Sequence, residues 1–341
     1  MLSTNFFDRF TVDPYDIDQR IRKPVSLFEF AALALALAFP IAVMLFSSVD
    51  LGGQQAYDFQ HYLNSAKGDF SFYYYAYWLI PLWELLILLP LWVAYIFWVI
   101  LSVACIFFAS RIFGSNTVLI LFCYQTLQVL YMGQFSGILV GGLALLWWGI
   151  THKRWNVAGI GLILAASKYH TGLIPAMVLL YYSDATFRER LKVFYVPVII
   201  GIISLALYQF WPFDVLNNYL SNPANDWGSV APWKYLGPVV LLVWIPSLLL
   251  KLSRNEKIFL LFATLPLGTP YFQAADLLIL YVLPIGFLPM LSHIGFLRPF
   301  IGYAVDNILI FIPLFIYLKI VLTAFMRNLK NYSEPQVMPD E

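Results

Sequence analysis

The chain has 341 residues, of which 61% are hydrophobic and only 11% charged, with a formal net charge of +1 and a mean hydropathy of +0.76. Soluble domains carry about 25% charged residues, so the composition excludes an ordinary soluble protein and predicts a polytopic membrane protein. The basic residues are scattered among loops rather than gathered on one face, which argues against nucleic acid as a partner. Both cysteines, Cys105 and Cys123, lie inside apolar runs and offer neither a disulfide framework nor metal-ligand spacing.

Residues 1–26 read as a cytoplasmic tail. They are polar and mixed in charge, without the pattern of a cleaved leader, so the first apolar run, 27–47, is expected to be an uncleaved span. A polar-aromatic loop follows at 48–77. The apolar run from Trp78 to Ser110 is too long for one straight crossing of roughly 20 residues. Pro81 and Pro90 punctuate it, predicting a re-entrant or interfacial piece at 78–89 and a span at 90–110. Further spans are expected at 116–131, 135–150, 193–210, 237–250, 258–272, 276–291 and 299–319. The whole is then an all-α bundle of about ten transmembrane or short re-entrant helices, a single membrane domain over 27–319 with a tail at 320–341. Basic residues concentrate in the amino-terminal tail and near Arg111, Lys153, Arg188 and Lys251. The alternate loops, 48–77 and 211–235, hold only Lys67 and Lys234. The basic set is therefore cytoplasmic and the two loops outside; the side taken by the last 45 or so residues stays open on this count.

Trp155 to Tyr182 has an unusual geometry. Both flanks read as cytoplasmic, yet two full crossings need about 40 residues, and Ser167-Lys168-Tyr169-His170-Thr171-Gly172 sits in the middle. Two short helices meeting inside the membrane, their junction facing a polar cavity, satisfy this length. A lysine facing lipid there would cost about 2.5–3.5 kcal/mol, so Lys168 is expected to line something wet or anionic.

Three polar clusters are candidates for chemistry. In 56–66, Ala56, Phe59, Leu63 and Ala66 recur at helical spacing while Asp58, His61, Tyr62 and Ser65 fall on another face, as in an interfacial helix with a polar edge. Asp58 as a solvated loop acid or cap is the plainer alternative. Gly133 and Gln134 end a span on the outer side, as a close-approach turn with a hydrogen-bonding amide or as a plain interhelical turn. The Lys168/His170 junction is expected to meet Asp58 and Gln134 around one outward-facing cavity. Asp214 and Asp226, with Trp211, Trp227 and Trp233, mark a wet outer loop that offers a lid as a secondary possibility, and Glu84, Tyr271, Gln273, Asp276 and Asp306 are weaker candidates.

The order of YDFQHYLNSAKGDF (57–70), the aromatic run at 72–98, GQFSG (133–137), AGIGLILAASKYHTGLIP (158–175) and TPYFQAADLLILYVLP (269–284) resembles the C-type superfamily of polytopic glycosyltransferases. The closest likeness is to glycosyltransferase family 87, the polyprenyl-phosphate-mannose-dependent mannosyltransferases. Tyr169 stands where a proline commonly follows the hairpin lysine, and Ser136 where an Asn often follows the Gly-Gln element. The resemblance implies an inverting transferase at the outer face of the cell membrane, moving a sugar from a polyprenyl-phosphate donor to a lipid or glycan hydroxyl among membrane lipids. Asp58 maps onto the general base and Lys168 onto the hairpin lysine. With His170, Lys168 would hold the donor phosphate by charge-assisted contacts, and Gln134, His61 and Tyr62 would line the substrate. No metal or other cofactor is expected. A transporter or flippase is the rival reading, since broken helices with polar centres also serve transport. A non-catalytic lipid-binding subunit is the third.

Overall fold

The computed structural model of the protein describes residues 10–46, 56–221, 229–302 and 304–333. The expected loop residues 48–55 and 222–228, with Asp226 and Trp227, and the tail at 334–341 lie outside them. The protein is all-helical: among the described residues there is no strand, only an isolated antiparallel bridge between Ser229 and Gln273.

Helix α1 (Pro14–Arg22) starts at Asp13, whose carboxylate accepts from Tyr15 N. It joins α2 (Leu27–Phe46), the expected first span, through a 75° bend. The short α3 (Tyr57–Ser65) and α4 (Ile80–Leu86) precede α5 (Leu91–Phe113), so the run 78–110 divides near Pro90 as its prolines predict. Next come α6 (Thr117–Phe122), α7 (Tyr124–Met132), α8 (Ser136–Thr151), α9 (Trp155–Ala166) and α10 (Tyr169–Tyr181). They are followed by α11 (Phe187–Val193), α12 (Tyr195–Tyr208), α13 (Trp211–Ser221) and α14 (Trp233–Leu236). The chain then forms α15 (Ile245–Leu249), α16 (Arg254–Gly268), α17 (Leu278–Tyr281), α18 (Leu288–Leu291), α19 (Arg298–Ile301), α20 (Ala304–Ile308) and α21 (Phe311–Ser333).

The count of about ten spans is corrected. By length and composition, three helical stretches among the described residues can cross a membrane, Leu91–Phe113, Phe187–Tyr208 and Val305–Asn328, or up to five if each of two bent pairs is one span. Backbone chemistry explains the difference. Expected span 116–131 breaks at Cys123, which is extended between α6 and α7. Expected span 237–250 is a tight 3-10 helix, Gly237–Trp244, that follows a backbone break at Gly237 (φ 56) and runs into α15, where Pro246 removes a helix donor. Expected span 276–291 is a series of short turns around Pro284 and Gly286, the latter at φ 70. Expected span 299–319 starts late, after Gly302 at φ 70, and α21 continues to Ser333.

Helix α5, about 34 Å long at 1.5 Å per residue, defines two ends of the bundle. At its far end Arg111 donates to the carbonyls of Arg20 and Lys23 and pairs with Glu29 at 2.9 Å, binding α1 and α2 to α5. Phe10 packs there among Phe113, Trp147 and Phe259. His152 reaches Asp18 at 3.0 Å, and Arg254 forks onto both oxygens of Asp184. Arg327 of α21 pairs with Glu256 at 3.1 Å, which brings the end of the last helix to this same end, a point the distribution of basic residues leaves open. The near end of α5 holds α3 and the turn after α7: Tyr95 donates to the carbonyls of Leu130 and Tyr131, and Trp98 to that of Gly133.

Helices α9 and α10 form the expected hairpin. Both are rooted at the Arg111 end, and at about 18–20 Å each they stop short of a 30 Å hydrocarbon core. Small residues allow their packing: a Cβ on Gly161 would stand 2.3 Å from Leu146 N of α8, and one on Gly172 2.0 Å from Ala165 O of α9. The loop after α3 descends to meet the junction, where Ala76 N donates to Ser167 O at 3.0 Å and Trp78 Nε1 to Ser167 Oγ at 2.8 Å.

Candidate active site

Asp58 enters the site because α3 is docked on the end of α7. Ala56 N donates to Tyr131 O at 2.9 Å, and Phe59 lies over Gly133, where a Cβ would come within 2.6 Å of Phe59 Cβ. Gly133 is also left-handed at φ 69, a conformation that favours glycine, and it turns Gln134 back toward α3. One carboxylate oxygen of Asp58, Oδ2, is buried without a hydrogen-bond partner, as is Gln134 Oε1. Burial pushes the Asp58 carboxyl up to about 6; the Lys168 charge and the neighbouring Gln134 amide pull it down, and the Asp276 charge pushes it further up.

The hairpin junction supplies the second half. Lys168, 2% exposed, donates to Asp276 Oδ1 at 2.6 Å, to Gln273 Oε1 at 3.3 Å and to Ser136 Oγ at 3.5 Å. Ser136 Oγ donates to the same Asp276 oxygen at 2.5 Å, while Asp276 Oδ2 is buried and unpartnered. Asp58 thus feels both members of the Lys168–Asp276 pair. Asp58, Gln134 and Lys168, from distant segments, are thus electrostatic neighbours. His170 joins them, within electrostatic reach of Lys168 and Asp276, its ring 5.7 Å from Tyr271 and both ring nitrogens buried without partners.

Two expected lining residues do other work. Tyr62 donates to Tyr75 Oη at 2.9 Å and accepts from Phe135 N at 3.1 Å, so its hydroxyl is committed to holding the Gln134 turn against α3. His61 lies between Tyr57 (4.5 Å) and Phe72 (5.1 Å), and its charged neighbour is Asp69 rather than the Lys168 group. The polar edge predicted for α3 is corrected accordingly. Ser65 is buried and donates to Tyr62 O inside the helix, leaving Asp58 as the member of that edge that faces Lys168. Asp306 is also elsewhere, 3.8 Å from Arg298.

Three residues of the site were not among the primary candidates. Asp276 and Gln273 read in the sequence as boundary polar residues, and Ser136 as a departure from a family pattern. A charge argument would have found Asp276, because a buried lysine in a chain this poor in charge calls for a buried acid. Tyr75 is a fourth neighbour: burial raises its hydroxyl pKa first, and the Tyr62, Asp58 and Asp276 groups add to it, so it lies within electrostatic reach of both carboxylates. No such signal marks Tyr75 within the run of tyrosines at 73–75.

The arrangement is a carboxylate with an unpartnered buried oxygen, an amide near it, a buried lysine-carboxylate ion pair and an imidazole whose ring nitrogens lack hydrogen-bond partners. Among the described residues no three His, Cys, Asp or Glu side chains converge as they would around a metal ion. Comparison with protein-family models, with curated proteins and with solved structures finds no match.

Proposed function

We propose that the protein is an inverting glycosyltransferase of the membrane, moving a sugar, on the family resemblance mannose, from a polyprenyl-phosphate donor to a hydroxyl of a lipid or glycan. The observation that carries this reading is the Asp58 carboxylate, whose buried Oδ2 has no partner and whose pKa stands at about 6. A general base serves best when its pKa lies near the working pH. In the proposed step the acceptor hydroxyl donates to Asp58 Oδ2 and its oxygen attacks the anomeric carbon from the face opposite the phosphate. The proton passes to Asp58, the bond from the anomeric carbon to the phosphate oxygen breaks, and the electron pair leaves on the lipid phosphate. Inversion follows from attack on the opposite face.

His170 and Lys168 would meet the phosphate, Lys168 keeping Asp276 as the partner that fixes its position and Gln134 orienting the acceptor. A monophosphate leaving group lacks the pyrophosphate that divalent ions bridge, so the proposed step uses no metal. The site would face the outside of the cell membrane and the Arg111 end the cytoplasm, in keeping with the basic flanks. The reading takes the helices as a compact variant of the C-type transferase bundle, several of its crossings broken into shorter pieces.

One observation favours a second reading. A buried lysine-carboxylate pair at the break between two short helices is also how a transporter couples substrate to charge. A single assay separates the two. Purified protein in vesicles is supplied with polyprenyl-phosphate-mannose and an acceptor lipid, and both the released lipid phosphate and the sidedness of the donor are measured. Transfer predicts a glycosylated product and free lipid phosphate; donor that changes leaflet with no product would replace the transferase by a transporter.

A further inference from the structure

At the opposite end of the bundle, between α1, α2, α5 and the start of α6, lies a cavity of about 370 Å³. Arg20, Lys23 and Arg111 line it against the single acid Glu29. Glu29 is already engaged, accepting from Ser26 N, Ser26 Oγ and Arg111 Nη2, so the lining keeps an excess of positive charge. Arg111 and Asn116 both line this space. Arg111, with its side chain 6% exposed, has an Nε that is buried and lacks a partner. Asn116 uses Oδ1 to cap α6 by accepting from Val118 N and Leu119 N, which directs its amide nitrogen elsewhere. The volume is at the small end of ligand clefts, about 300–1,000 Å³, suited to a headgroup rather than a whole lipid. Beside the mouth, Leu27 is 79% and Phe28 78% exposed at the first turn of α2, an apolar surface on which acyl chains can lie.

We propose that this cavity binds a phosphoryl anion, and that the anion is the headgroup of an acidic phospholipid. Basic pockets between membrane helices recognise such headgroups by charge and hydrogen bonding, and guanidinium groups match phosphate geometry. The site is remote from Asp58 and independent of the transferase reading.

The test uses full-length protein, delipidated in a neutral detergent, and follows its unfolding midpoint. Phosphatidylglycerol, phosphatidylcholine with the same chains, glycerol phosphate and inorganic phosphate are added separately at matched concentrations. A rise of about 2 °C or more with phosphatidylglycerol but not phosphatidylcholine is expected. Lys23→Gln, an exposed position, should remove most of that rise. Asn116→Asp, which keeps the capping oxygen and replaces the donor by a charge, should do the same. Arg22→Gln, at an exposed arginine paired with Asp18, should leave the rise unchanged. An equal rise with the two soluble phosphates would support the anion site and reassign its occupant to a free phosphate. Equal responses to the two lipids with none to phosphate, or a phosphatidylglycerol response untouched by both Lys23→Gln and Asn116→Asp, would overturn the proposal.

Discussion

Asp58 carries its own stability signature, separable from any activity. Its native pKa of about 6 exceeds the ordinary carboxylate value of 3.8. The native state therefore binds more protons than the unfolded chain between those values. Its contribution to stability is full below about pH 4 and is lost as pH rises through about 6. Melting curves across this window should show that decline in the wild type and a shallower one in Asp58→Asn. In the proposed reaction the same group must be deprotonated, so kcat/KM should climb with pH to a plateau above about 6, and Asp58→Asn should lose about 100-fold or more. A flat profile would remove Asp58 from the role of base. Lys168 and Asp276 pose a different balance. Removing one partner strands a buried charge, so Lys168→Met and Asp276→Leu should each cost about 3–5 kcal/mol. The double variant should cost clearly less than the sum, because no charge is then left unpaired. Strictly additive losses in denaturant unfolding would contradict the pairing.

Two helix contacts set where these groups stand. The α3–α7 contact depends on Gly133, which combines a left-handed backbone with the approach of Phe59. Gly133→Ala should cost about 1–3 kcal/mol and lower turnover further than stability loss explains, since displacing α3 moves Asp58 from Gln134. Turnover that follows only the folded fraction would argue against that coupling. The α9–α10 contact depends on Gly172, where a side chain would meet the Ala165 carbonyl. Gly172→Val should open the hairpin, shift Lys168 from Asp276 and lower the unfolding midpoint. The α9–α10 hairpin was legible in the sequence because 28 residues cannot cross a bilayer twice. The breaks in 237–250 and 276–291 were legible only as prolines within apolar runs. Hydropathy averages over a window and does not register the lost donors, so those runs looked like spans.

The molecule as a whole separates two polar ends. Arg111, His152, Arg254 and Arg327 gather their partners at one, and Asp58 with the Lys168 group lies toward the other. Single cysteines at Lys153 and Arg188 should therefore react with a membrane-impermeant thiol reagent from one side of sealed vesicles, and one at Lys67 from the other. Labelling of all three from a single side would reverse the proposed topology of the hairpin. Composition, with apolar runs near 20 residues, pointed to an all-helical chain of membrane character, because so few charges cannot cover a soluble surface. Local spacing raised Asp58, Gln134 and Lys168 as candidates beside plainer readings of the first two, since polar residues isolated in apolar sequence stand out without a fold. The partners of those residues came only from tertiary structure. Lys168 and Asp276 lie 108 positions apart, and His61 shares a helix turn with Asp58 yet has a different charged neighbour, Asp69. Which buried polar atoms are satisfied, and which are left open for a ligand, depends on the packing of helices from distant parts of the chain, and periodicity along a single helix does not contain that information.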